Sequence, residues 1–182
     1  MSTPKERRQI IISQMNQISK KGINCQGCVG TCCTSLANSM QISPLEAQDL
    51  LDFLKSSGRL TTQLKEDLLD CVKKYRLDHE ISTTRGIPFR RTYTCPFFTP
   101  GPKGCSIDPE YKPYGCLSFN PQEKNANGGS SCFSNSDIYQ KREDEFIWKE
   151  GGLNKKIIEG LNLSWNKKSI PQALLDLWNS LH

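Results

Sequence analysis

The residues of this chain whose type and spacing can do chemistry are its 9 cysteines. Four of them crowd into Cys25-Gln26-Gly27-Cys28-Val29-Gly30-Thr31-Cys32-Cys33, a C-x2-C-x3-C-C run. A C-x2-C pair lets two thiolates reach one ion across a tight turn, and Gly27 eases that turn. Cys28 and Cys32 are four residues apart and share a face if a helical turn starts there. Cys33 would then point about 100° away from Cys32, toward a second metal or a bridge between two. The same density suits one corner of an iron–sulfur cluster, so spacing leaves zinc and iron both open. A second group follows in Cys95-Pro96-Phe97-Phe98, Gly104-Cys105-Ser106-Ile107 and Lys112-Pro113-Tyr114-Gly115-Cys116. Cys132 completes a set of eight, enough for two closed four-thiolate sites. Phe97, Phe98, Tyr111, Tyr114 and Phe119 are expected to shield the sulfurs from water. Cys71 lies on a helix's apolar face and reads as a small buried apolar residue instead.

Metal ligation is favoured over disulfides by the rest of the chain. The only apolar run near the N-terminus is Ile10-Ile11-Ile12, whereas an export signal needs about 7–15 apolar residues. A cytoplasmic setting is therefore expected, where thiols stay reduced and clustered cysteines serve metals or redox chemistry. An odd number of cysteines also pairs badly. The formal charge is +5 over 182 residues. Eight thiolates around two divalent ions would bring about −4, so much of the basic excess is countercharge and nucleic-acid binding is not expected. No apolar stretch is long enough to span a membrane. G-x-x-x-x-G-K-[ST], G-x-G-x-x-G and H-E-x-x-H are all absent, which leaves nucleotide binding and metalloprotease chemistry without support. The basic stretch around Arg85, Arg90 and Arg91 reads as a solvated face. Trp148, Trp165 and Trp178 read as buried in helix packing, with a protein partner left open.

The elements that must position the cysteines are mostly helical. Ile11, Met15 and Ile18 share one face of a helix over Pro4–Ser19, stopped at Gly22. Ser43-Pro44-Leu45-Glu46 is a capping box with proline at the first helical position, followed by a Leu50, Leu51, Leu54 stripe. Leu64, Leu68, Cys71 and Tyr75 define a third helix ending near Arg76, expected to form a hairpin with the second. Between Ser82 and Ser136, Gly, Pro, Asn and Ser are frequent, and Ile87–Tyr93 is the one expected strand there. Such a stretch needs something other than an apolar core to hold it. Helices are expected again at Asp137–Trp148, Leu153–Leu161 and Ile170–Leu181. The fold class expected is thus mainly α in one domain, 1–182, with helices packed around an irregular, Cys-rich, metal-binding middle and little β.

The order C-x2-C-x3-C-C, then C-P-F-h, G-C-x-I and basic-Pro-x-x-C, resembles the YkgJ-type cysteine-cluster family, a zinc- or iron-chelating domain. The likeness covers about Cys25 to Pro121, with a helical extension over about 137–182. Three residues, rather than two, separate Cys28 from Cys32, and Lys112 and Leu117 stand where the family usually carries arginine. The resemblance implies metal chelation by Cys25, Cys28, Cys32, Cys33, Cys95, Cys105 and Cys116. Some relatives are flagellin lysine N-methylases, which implies S-adenosylmethionine-dependent methyl transfer or redox chemistry as the alternative. Whether the chain is an enzyme is left open.

Overall fold

The computed structural model describes residues 4–24, 29–79, 81–82, 88–101, 104–121, 124, 132–134, 140 and 148–180. Cys25 and Cys28, and most of the helix expected over Asp137–Trp148, lie outside them. The described chain is mainly helical: α1 (Pro4–Ser19), α2 (Pro44–Ser56), α3 (Thr62–Tyr75), the short α4 (Tyr114–Ser118), α5 (Trp148–Gly160) and α6 (Ile170–Asn179). Single 3-10 turns occupy Thr31–Cys33 and Pro109–Tyr111.

Helix ends follow local chemistry. Ser43 accepts from the Glu46 amide while Glu46 accepts from the Ser43 amide, so α2 starts on a complete capping box. Thr61 accepts from the Leu64 amide to start α3. Each cap of this kind stabilises by about 1 kcal/mol. α2 and α3 do not form the expected hairpin. Both pack mainly against α6, whose Leu174 and Leu177 meet Leu50, Leu54 and Leu68 in the main core. Seven apolar positions of α6, counting Pro171, are buried, more than a two-helix seam can use, and that draws two helices onto it.

Among the described residues the β structure consists of three two-stranded antiparallel ribbons. β1 (Gln41–Ile42) pairs β6 (Lys168–Ser169) with Gln41 opposite Ser169. β2 (Ile81–Ser82) pairs β3 (Pro88–Phe89), so the expected Ile87–Tyr93 strand shrinks to two described residues. β4 (Phe119–Pro121) pairs β5 (Cys132–Ser134), with Pro121 opposite Cys132.

α5 runs straight through Gly151 and Gly152, where a break was expected. Two glycines cost roughly 2 kcal/mol of helix propensity. Tertiary bonds offset this. The buried Glu150 accepts from Tyr114 Oη at 2.6 Å and from Arg7 Nε at 2.6 Å, and Asn154 accepts from the Leu45 amide at 2.9 Å. On the other side, Ile11 of α1 packs with Tyr114 and Leu117 of α4, with Met15 and Ile18 partly buried beside them. Arg8 reaches Lys112 O at 3.0 Å and Asp49 at 2.7 Å, and its guanidinium lies 5.0 Å from the Tyr114 ring centroid. α1 thereby clamps the stretch that leads into Cys116. Among the described residues no helix is long and apolar enough to cross a membrane.

Candidate metal centre

Three stretches of chain bring five cysteines together. The first is the 3-10 turn carrying Cys32 and Cys33, closed by the Cys33 amide on Gly30 O at 2.9 Å and the Thr34 amide on Thr31 O at 3.0 Å. The second runs from Tyr93 to Ile107 and carries Cys95 and Cys105. Within it the Phe98 amide bonds Cys95 O at 2.9 Å and the Ser106 amide bonds Phe97 O at 2.9 Å, so the two cysteines sit on adjacent limbs of one loop. The third is α4, whose first turn presents Cys116, its amide on Pro113 O at 3.0 Å.

The first and second stretches are locked to each other through backbone. The Cys95 amide donates to Cys33 O at 2.7 Å, the shortest of the loop bonds here. The Tyr93 amide donates to Asn38 O at 2.9 Å, and the Asn38 side chain returns a bond to Tyr93 O at 3.0 Å. Tyr93 itself is buried, with its hydroxyl donating to Met40 O at 2.7 Å and accepting from the Ile170 amide at 3.1 Å. Gly30 and Gly104 let the two loops meet: both have positive φ, 79° and 50°. Sequence reading passed over these glycines because only their mutual packing gives them meaning. The signal available was a glycine one or two residues ahead of a cysteine in both loops.

The sulfurs interact. Cys33 is hydrogen-bonded to both Cys105 and Cys32. Those bonds, with burial, push the Cys33 thiol far up. The same bond holds Cys105 down at about 6 against its burial, with help from Lys112 and Arg59. Cys32 is held at about 7, again by Cys33 first and then Lys112. Burial pushes Cys95 up to about 12 and also pushes Cys116 well up, with the charges of neighbouring thiolates adding to it. Cys33 thus lies between Cys32 and Cys105 rather than turned away from the group. Arg59 is fixed beside it by bonds of 2.8 Å to Ser106 O and Ser106 Oγ, its guanidinium 6.0 Å from the Phe97 ring centroid. Phe97 and Ile107 are buried in the main core, with Phe98 and Tyr111 partly buried against it. The expected aromatic screen is therefore present on that side.

Cys132 is buried on β5, in the ribbon that continues from α4. Cys71 is buried on α3, its thiol donating to Thr94 O at 3.4 Å. Cys32, Cys33, Cys71, Cys95, Cys105 and Cys116 are free thiols. Among the described residues no group of three or more His, Cys, Asp or Glu side chains is placed to hold a metal ion. No family model, curated protein or solved structure matches this chain.

The group is built of thiols, the ligand type that soft cations prefer, and the cations at its edge, Lys112 and Arg59, lower Cys105 only partly against burial. Ionising several of these thiols at once sets like charges together in a partly buried place, as the upward pull of Cys105 and Cys95 on Cys116 records. A bound metal reverses that cost, since it holds thiolates deprotonated.

Proposed function

We propose that this chain is a metal-binding protein that chelates zinc or iron, an iron–sulfur cluster included, through clustered cysteine thiolates. The ligands are drawn from Cys32, Cys33, Cys95, Cys105 and Cys116, with Cys25 and Cys28 beside them in the first run and Cys132 on the ribbon beyond α4. The observation that carries the reading is the meeting of the Cys33 turn with the loop of Cys95 and Cys105, more than 60 residues on in sequence: the Cys95 amide bonds Cys33 O at 2.7 Å, and all three cysteines join one core cluster. The order of the cysteines, which resembles the YkgJ-type cluster family, supports it independently. Thiolate ligands select zinc, copper(I) and iron–sulfur centres over hard cations such as magnesium.

Metal analysis of anaerobically purified protein tests the proposal. Stoichiometric zinc in a colourless protein, or iron in a brown one, is the expected result. Cys33→Ser and Cys105→Ser should each lose metal, and Cys71→Ser should keep it. A metal-free wild type, or Cys33→Ser and Cys105→Ser variants with full metal content, would overturn the reading.

A further inference from the structure

Thr94 has no metal-ligating chemistry, yet three hydrogen bonds from two other segments converge on it. Its Oγ1 accepts from the Ser35 amide at 3.1 Å and from Tyr75 Oη at 2.9 Å. Its carbonyl accepts from Cys71 Sγ at 3.4 Å. Ser35 is two residues past Cys33, and Thr94 immediately precedes Cys95. Tyr75 and Cys71 both belong to α3. One small side chain therefore joins the turn that carries Cys32 and Cys33, the loop that carries Cys95, and a core helix that supplies no ligand.

We infer that Thr94 is a positioning residue for the thiol centre, setting the separation of Cys33 and Cys95 and coupling both to α3; this rests on the metal reading above. The backbone fixes the two segments at the Cys95 amide on Cys33 O and again at the Tyr93 amide on Asn38 O. The Oγ1 bond to Ser35 lies between those two points, beside the cysteines, and the Tyr75 bond ties the joined pair to α3. The assignment also gives Cys71 a role that needs no bond to metal. It braces the Thr94 carbonyl from the helix side.

The test compares Thr94→Val, Thr94→Ser and Tyr75→Phe in the full chain, with far-UV circular dichroism to confirm folding. Cobalt(II) serves as the probe ion, since its absorption reads coordination geometry. Thr94→Val is isosteric and should weaken cobalt binding by about 10-fold or more, the usual range for residues that orient ligands, and shift the visible bands. Thr94→Ser should restore both. Tyr75→Phe keeps the Ser35 bond and should give an intermediate spectrum, and it stands as the variant to read if Thr94→Val fails to fold. A second readout uses the metal-free chain: mass-mapped alkylation of buried Cys95 should speed by about 10-fold in Thr94→Val, following loss of roughly one hydrogen bond's worth of order. Unchanged spectrum and unchanged alkylation in folded Thr94→Val overturn the assignment. A wild type that takes no cobalt while Cys95 alkylation still responds sinks the metal reading and leaves Thr94 as the positioning residue of a thiol cluster.

Discussion

Gly30 and Gly104 press backbone against backbone. A Cβ built on Gly104 would stand 2.5 Å from Gly30 Cα, and one built on Gly30 would stand 2.7 Å from Gly104 Cα and 2.8 Å from the Phe98 ring. Both residues also hold left-handed backbone, which side-chain-bearing residues adopt at a cost of about 1–2 kcal/mol. The contact sets the spacing between the Cys32–Cys33 turn and the Cys105 limb.

Gly30→Ala and Gly104→Ala should therefore each lower stability by more than the backbone term alone and reduce bound metal. Gly58 supplies the control. It has a φ of 68° but nothing within 4 Å of its Cβ position. Gly58→Ala should lose only about 1–2 kcal/mol and keep its metal. Urea midpoints with metal analysis on the three variants check this. Equal effects at all three positions would mean the glycine contact has no part in assembling the site.

Removing the ion should loosen the loops that it joins. A structural zinc site contributes on the order of 10–16 kcal/mol in small peptides, comparable to a whole domain's net stability of about 5–15 kcal/mol. Limited proteolysis after chelation should cut within 82–136, with α2, α3 and α6 surviving longer. Protease resistance there that is indifferent to chelator would count against the prediction.

The reduced, metal-free chain should depend on pH through Cys105 and Cys32. Their folded values, about 6 and about 7, lie below the ordinary thiol value of 9.0 because the Cys33 thiol, whose one proton can go to either sulfur, and Lys112 stand near. A depressed acid contributes stability that is complete above pH 9 and lost as pH falls through 7 toward 6. Cys33, Cys95 and Cys116 are shifted the other way, and their contribution is lost only as pH rises beyond 9. Denaturation midpoints should rise from pH 6 to pH 8.5, with a shallower rise in Cys105→Ser. A wild-type slope matched by that variant would remove Cys105 from the account.

The buried pair of Arg7 and Glu150 predicts a purely structural lesion. The side chains are 3% and 5% exposed, and the same Glu150 oxygen takes the Tyr114 hydroxyl. Arg7→Met leaves the carboxylate without its cation and should cost about 3–5 kcal/mol. Metal stoichiometry in the surviving folded fraction should stay at the wild-type value. A calorimetric melting point combined with metal analysis separates the two effects.

Much of the helical frame was legible in the residues. The Ser43–Glu46 box and the Leu50, Leu51, Leu54 stripe carry their own signals, and Cys71 on an apolar face proved buried. What escaped sequence reading was long-range. Ribbons of two or three residues per strand have no periodicity to detect. The partition of α2 and α3 onto α6 depends on how much apolar surface α6 carries, 126 residues downstream of α2's start (44 to 170). The glycine contact and the Thr94 node involve residues with no chemistry of their own, so only the juxtaposition of distant loops reveals them. Cys25 and Cys28, the sharpest part of the sequence motif, lie outside the described residues.

The placement of α6 bears on biogenesis. Its leucines complete the core shared by α2 and α3, and β6 just ahead of it pairs with β1. During synthesis the hydrophobic interior therefore stays unsealed until residues 170–179 have left the ribosome. By then every cysteine has already emerged, so the nascent thiols must be kept from oxidation for nearly the whole of translation.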